Sequence, residues 1–305
     1  MVILQGPLLQ VEVSKIIVHV SGKSCALPPL PIQFADYVLW KLNALDAILK
    51  LHLPYWKAHL AGAPSLRFPL DRPARAAATL QGQIYRFELS PELTANLLDF
   101  GHREKLTSFM ILFSAFQVLL SVRTRQDDVV VGVVGARAMS ELRDVMGFCA
   151  NYAPVRTDLS GDPTIRQMLG RVRDTAIEAH EHYYPHIEHL PEILRVEQPF
   201  CRIQFHFNAS SVPLTFAAGR VDFGGELRAE DFDVQPMFCP AHNDLTLVLV
   251  DEQARVAGHA IYRTDLLDRG SVDQFIDDYK RVLVAIVKAP DRRLLSLAQE
   301  IAQSP

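Results

Sequence analysis

Four histidines crowd one short stretch of this 305-residue chain: His180, His182, His186 and His189. Imidazoles at that density can ligate a divalent ion or relay protons. His182 and His186 stand four apart, the spacing that sets two ligands on one helix face. Pro185 falls between them and breaks the helix, and no His-Glu-x-x-His run is present. A metal centre is therefore not expected. His206 and Asn208 are two apart, so on a strand they share a face that either lines a substrate channel or meets solvent. His242 and Asp244 read more simply as a solvent-side strand start than as a base–acid dyad. Ser121, Ser140 and Ser210 lack the Gly-x-Ser-x-Gly elbow of a nucleophilic serine. The four cysteines, Cys25, Cys149, Cys201 and Cys239, include no CxxC pair, which argues against zinc and against a disulfide framework. They read as buried free thiols. Gly224-Gly225 is a turn signal, not a phosphate loop.

Bulk properties narrow the classes further. The net charge of -4 offers no concentrated basic face for a nucleic-acid backbone. Arg166, Arg171 and Arg173 have the spacing of a solvated helix face. With 49% hydrophobic and 22% charged residues the composition is that of a folded chain, one large domain or two modest ones. The longest apolar run, Phe109 to Val122, is interrupted by Ser114, Gln117 and Ser121 and is too short to cross a bilayer. Met1 to Leu9 is apolar but lacks the basic start of a leader. A soluble, cytoplasmic protein is expected.

The elements that must position these residues follow from periodicity. Helical spacing of Phe34, Tyr37, Val38, Leu42, Leu45 and Leu49 predicts a helix from Gln33 to Lys50. A second, shorter helix is expected around Tyr55, Trp56 and Leu60, stopped by Gly62-Ala63-Pro64, with a loop from Pro64 to Thr79. Strands are expected at Gln83–Leu89, Asp128–Val134, within Val145–Arg156, and at Cys201–Asn208, Asp244–Val250 and Val256–Tyr262. Ser90-Pro91 opens a helix, and further helices are expected at Thr107–Val122, Pro163–His182 and Ser271–Lys288. The order predicts an α/β fold, with helices packed on a mixed sheet.

Several segments, taken in order, resemble the second half of a nonribosomal peptide synthetase condensation domain. They are Leu30 to Trp40, Tyr55-Trp56 with Leu60 to Pro64, and Phe68 to Pro73. Ser108-Phe-Met110, Ala115 to Leu120 and Gln126 to Val129 with Val131-Gly132 follow. Val145-Met-Gly-Phe-Cys-Ala-Asn151 resembles the family's Gly-Phe-x-x-Asn motif and runs on through Arg156 to Pro163; Asp244 to Leu247 and Tyr262 to Asp265 close the series. The resemblance begins near Ala26. It implies a chloramphenicol-acetyltransferase-like lobe at 81–305, preceded by a helical linker at 25–80 and by a segment, 1–24, that does not match.

The resemblance also implies chemistry. Condensation domains join carrier-bound aminoacyl or peptidyl thioesters into amides through a His-His-x-x-x-Asp-Gly motif in their first lobe. This sequence contains neither an adjacent histidine pair nor an Asp-Gly dipeptide, so a chain inactive on its own is expected. By the same resemblance, Asn151, Arg156, His206, Asn208, Asp244 and Thr246 are the candidates for lining the tunnel or contacting the carrier arm. Arg156 matches the arginine that pairs with the motif's aspartate; with that aspartate missing, it is expected as an orphan kept near solvent or a partner, because a buried unpaired charge is costly. Pro185 matches the proline of the His-x-x-x-Pro-Phe motif, with His186 in place of the phenylalanine. No cofactor is expected on the chain itself, since substrates arrive on the phosphopantetheine of peptidyl carrier proteins. Those carriers, other synthetase domains and a separate amino-terminal lobe are the expected partners; nucleic acid and membrane are not. A non-catalytic docking module for carrier or tailoring proteins is the alternative. A single-lobe CoA-dependent acyltransferase is the weakest reading, since it too needs a catalytic histidine. A lone lobe is further expected to expose apolar surface and self-associate.

Overall fold

The computed structural model describes residues 30–74, 81–135, 140–142, 145, 147, 149, 151–183, 202–209, 239–241, 243–251 and 255–302. The expected segment 1–24, Cys25, Pro185, His186, His189, Cys201, Ser210, Gly224-Gly225 and His242 lie outside them.

The first helix, α1 (Phe34–His59), is continuous where the sequence suggested two. Pro54 sits inside it, at a local cost of about 3 kcal/mol from the lost hydrogen bond and the ring clash. Packing on both sides of the proline offsets that cost: His52 and Trp56 are buried, and the Trp56 indole N–H donates to the His182 carbonyl at 2.9 Å. From α1 a connector runs along the body of the protein. The Gln126 side chain accepts from the Arg67 backbone N–H at 2.7 Å and donates to the Ser65 carbonyl at 3.2 Å. Further along, the Asp71 carboxylate accepts from the Asp268 N–H at 2.7 Å and the Ser271 hydroxyl at 2.8 Å.

The body is one mixed sheet. Its strands are β1 (Gln81–Glu88), β2 (Asp128–Gly135), β3 (Asn151–Asp158), β4 (Ile203–Ala209), β5 (Cys239–Pro240), β6 (Leu245–Asp251) and β7 (Val256–Arg263), in the order β3-β2-β4-β6-β7-β1-β5. β4 lies parallel to β2 and to β6, and all other pairs are antiparallel. The remaining helices are α2 (Pro91–Glu104), α3 (Ser108–Thr124), α4 (Ile165–Glu181), α5 (Arg269–Lys288) and α6 (Leu294–Ala302). Ser90 and Thr107 cap α2 and α3 through their side-chain oxygens, as their residue types favour. α6 has no counterpart among the expected elements, although Leu294, Leu297 and Ile301 carry helical spacing.

Alternate residues of each strand enter one core with the helices: Val129, Val131 and Val133 of β2, Phe205 of β4, and Leu245, Leu247 and Leu249 of β6. α3 is buried nearly all round, which explains why its sequence shows an apolar run rather than an amphipathic stripe. Its hydroxyls are satisfied internally, Ser114 donating to the Met110 carbonyl at 2.6 Å and Thr124 to that of Leu120 at 2.8 Å. Arg166, Arg171 and Arg173 are exposed or nearly so, as expected. Arg166 pairs with Asp291 at 2.9 Å, and Arg171 donates to the Asp158 and Ser160 carbonyls. Cys149 is buried.

Candidate functional site

Strand alternation sends Ile203, Phe205 and Phe207 of β4 towards the helices and Gln204, His206 and Asn208 to the opposite face. β6 adds Thr246, directly opposite Gln204 in the register. The structure thus puts His206 and Asn208 on one face, as their spacing predicts, and brings Thr246 beside them; it adds Gln204, which sequence reading passed over although it shares the parity of His206 and Asn208. His206 Nε2 lies 3.0 Å from Gln204 Oε1. Burial pushes the His206 pKa down to about 4, so the imidazole is neutral at pH 7. With the amide oxygen accepting from Nε2, Nδ1 is left as an acceptor. The Asn208 Nδ2 is buried and, among the described residues, has no hydrogen-bond partner.

Asp244 departs from both expectations. It is neither a solvent-side strand start nor a group free to meet a substrate: it is buried, pairs with Arg202 at 2.7 Å and lies 3.9 Å from Arg263. Arg263 in turn is held by Asp265 at 2.9 and 2.6 Å. A buried carboxylate needs such partners, and here the arginines flanking the head of β6 supply them.

Arg156 is not an orphan. Its guanidinium grips both oxygens of Asp128, at 2.8 and 2.7 Å, and Nη1 donates to the carbonyls of His59 and Ala61. The fork geometry of arginine suits this planar carboxylate clasp. β3 is an edge strand, and the backbone N–H of Arg156 donates to His59 Nε2 at 3.2 Å. That bond requires an unprotonated Nε2. Burial first, and then the Arg156 charge, push the His59 pKa down to about 4. Arg156 therefore fastens the end of α1 to the edge of the sheet.

Asn151 begins β3 and is buried. Its Nδ2 donates to the Tyr183 carbonyl at 2.5 Å, one residue beyond the carbonyl held by Trp56. His52 and His182 share a hydrogen bond between their Nδ1 atoms at 3.1 Å, and the Tyr55 ring stacks on His182 with centroids 4.1 Å apart. The exit of α4 is thus tied to α1 and to β3. The turn before β3 is fitted in the same way: a Cβ on Gly147 would come within 2.1 Å of the Phe34 ring. Glycine is therefore needed in the Gly-Phe-x-x-Asn stretch to let α1 approach.

Beside Tyr183 opens an apolar cavity of about 420 Å³, bounded by the start of α3 (Phe109, Met110), the sheet (Val133 and Val134 of β2, Ala153 and Val155 of β3, Phe207 of β4) and the second half of α4 (Ala176, Ile177, Ala179). Sequence reading did not find it. Its walls come from five elements, α3, α4, β2, β3 and β4, and the only local signal was alanine at 176 and 179 on the buried face of α4. Among the described residues no group of three metal-ligating side chains exists.

Comparison with known proteins decides the family. The Condensation domain model matches residues 17–299. The chain belongs to the condensation-domain family. The match starts inside the 1–24 segment that was expected to stand apart. This condensation domain is 32% identical over 269 residues to chondramide synthase cmdD of Chondromyces crocatus, covering 87% of the chain and 7% of the relative. It is 32% identical over 292 residues to phosphinothricin tripeptide synthetase PhsC of Streptomyces viridochromogenes, covering 93% of the chain and 25% of the relative. The chain therefore spans a small part of the curated relatives it matches. Two solved structures share the fold. The X-domain from teicoplanin biosynthesis superposes with a TM-score of 0.77 at 24% identity, over 91% of this chain and 64% of that one. SgcC5 from Streptomyces globisporus superposes with a TM-score of 0.78 at 24% identity, over 95% and 67%. The X-domain has also been solved in complex with OxyB. The fold is the chloramphenicol-acetyltransferase-like α/β architecture expected from the resemblance. Among the described residues no single helix is long and apolar enough to cross a membrane.

Proposed function

We propose that this domain serves amide formation between carrier-bound aminoacyl or peptidyl thioesters, and that it does not complete that reaction alone. The observation that carries the reading is the condensation-family match over residues 17–299 in a sequence without an adjacent histidine pair. Attack of an amine on a thioester gains most from holding two arms together. A positioned base adds about 10²- to 10⁴-fold. The domain contributes the first of these, a shaped wall for substrates on phosphopantetheine arms. The second comes from a lobe bearing His-His-x-x-x-Asp-Gly. The polar row of Gln204, His206, Asn208 and Thr246 belongs to that wall, with the buried Asn208 Nδ2 as a donor towards an arm or substrate carbonyl. Asn151 and Arg156 contribute by fixing α4 and α1, not by touching substrate.

The test uses two carrier proteins loaded with aminoacyl thioesters and mass spectrometry of the carrier-bound products. The 305-residue chain alone is expected to give no dipeptide above background, and the chain mixed with a histidine-motif lobe from a relative is expected to give product. Turnover by the chain alone would overturn its dependence on a second lobe. Carrier binding without product in the mixture would replace this reading with the docking module.

A further inference from the structure

We propose that the cavity between the start of α3 and the second half of α4 is a binding pocket for one uncharged apolar group, the side chain of a thioester-borne substrate. Asn151 acts as its positioning residue. The assignment of the group to a thioester rests on the function proposed above; the pocket itself rests on geometry. It lies at the carboxyl-terminal ends of β2 and β4, where Val134, the β2 partner of His206, also borders it, so a group carried along the polar row reaches it around the strand ends and not through the sheet.

The void is built by a change of residue size along a single helix face. The first half of the buried face of α4 carries Ile165, Met168, Leu169 and Val172, which fill the space against the sheet. The second half carries only Ala176 and Ala179. Ala153 of β3, on the facing sheet surface, is small as well. A lobe selected for packing alone would fill this space, since interiors approach the density of organic crystals. At about 420 Å³ the opening falls in the size range of small-molecule sites. Its depth is apolar. The charged or titratable side chains at its edge, His180 and Glu181, are exposed, and the buried titratable side chain in its wall is the Tyr183 phenol, so a charged group carried inside would find no opposite charge there. Ile177 stands at the mouth with 45% of its surface exposed, a large aliphatic side chain in water where an incoming apolar group would cover it.

Tyr183 closes one side, and its place depends on the bond from Asn151 to its carbonyl. Asn151 does not line the cavity. Its loss is expected to loosen the wall, weakening binding more than it weakens the fold.

The probe is 1-aminoanthracene, an uncharged apolar fluorophore, titrated into the 305-residue chain. Displacement is then measured with N-acetyl-phenylalanyl, N-acetyl-leucyl and N-acetyl-aspartyl pantetheine thioesters. One saturable site is expected, emptied by the phenylalanyl and leucyl thioesters at concentrations at least tenfold below the aspartyl one. Ala176→Phe should fill the cavity and lower probe affinity tenfold or more with an unchanged or raised melting temperature. Ile177→Asp, at an exposed position, should lower affinity without unfolding the chain and so covers the case in which Ala176→Phe misfolds. Asn151→Ala should lose affinity while Asn151→Asp, which lacks the donor but keeps the shape, should lose it equally. Wild-type affinity in both cavity variants, or equal displacement by the aspartyl thioester, would overturn the pocket. No carrier and no second lobe enter this measurement. Absent dipeptide synthesis in the mixture with a histidine-motif lobe, with intact probe binding, therefore counts against the condensation reading only; product in that mixture without saturable probe binding counts against the pocket only.

Discussion

His59 shows how one side chain couples charge to architecture. Its Nε2 accepts from the edge-strand N–H of Arg156 while its own carbonyl receives the Arg156 guanidinium. Protonating Nε2 would remove the first bond and set a cation beside a cation. With a folded pKa of about 4 against an ordinary value of 6.5, the unfolded chain binds the extra proton between those values, so stability rises with pH across that window. The contribution is complete above pH 6.5, shrinks as acid is added and is gone near pH 4. His52, His206 and His259 are lowered by burial as well, and act with the same sign. Lowering the pH from 7 to 5 is expected to reduce the urea midpoint. His59→Gln, which keeps an acceptor that does not titrate, should flatten that dependence by about 1 kcal/mol for this half-buried group. An unchanged slope in the variant would remove His59 from the account.

At the scale of elements, close approach rather than polarity sets the tightest requirement. β1 and β7 pair with Phe87 opposite Gly258, and a Cβ on Gly258 would come within 2.2 Å of the Phe87 ring. Gly258→Ala is expected to cost about 1–3 kcal/mol by overpacking. Phe87→Leu in the same chain should recover part of it in a double-mutant cycle read by thermal unfolding; additive losses would show that the ring is not the obstacle. Such pairings also mark what could be read from the sequence. The valine run of β2, the Ser90-Pro91 start of α2 and the apolar block of α3 are local signals, and each element formed where they lie. Pro54 is a local signal that tertiary packing overrode, because Trp56 and His52 anchor the helix on either side of it. The alternation of His206 with Asn208 was enough to place them on one face. The pairing of Arg156 with Asp128 joins two strands across 28 positions, and the cavity joins five elements. Neither leaves a mark in any short window.

For the whole molecule, the two halves of α1 are in different situations. The second half is fastened through His52, Trp56 and His59. The first half touches the body through Phe34 and Tyr37, which pack on the small cluster of Leu142, Val145 and Cys149. Its other sides leave large apolar groups in water: Leu39 is 60% exposed, Trp40 43% and Leu42 63%, with Leu51 at 67% further along. Isolated surface leucines are ordinary, but a cluster within one turn of helix is an association surface. The net charge of -4 spread over 305 residues opposes close approach only weakly. The purified chain is therefore expected to associate through this half of α1, with a sedimentation coefficient that climbs as loading concentration is raised. Leu39→Lys combined with Leu42→Glu, three apart on the helix, should restore a concentration-independent monomer. The melting temperature should stay where it was, since neither side chain is packed in the monomer. A wild-type chain that sediments as a monomer at every concentration would show that the exposed leucines are inert, and association that survives the double substitution would move the contact elsewhere on the surface.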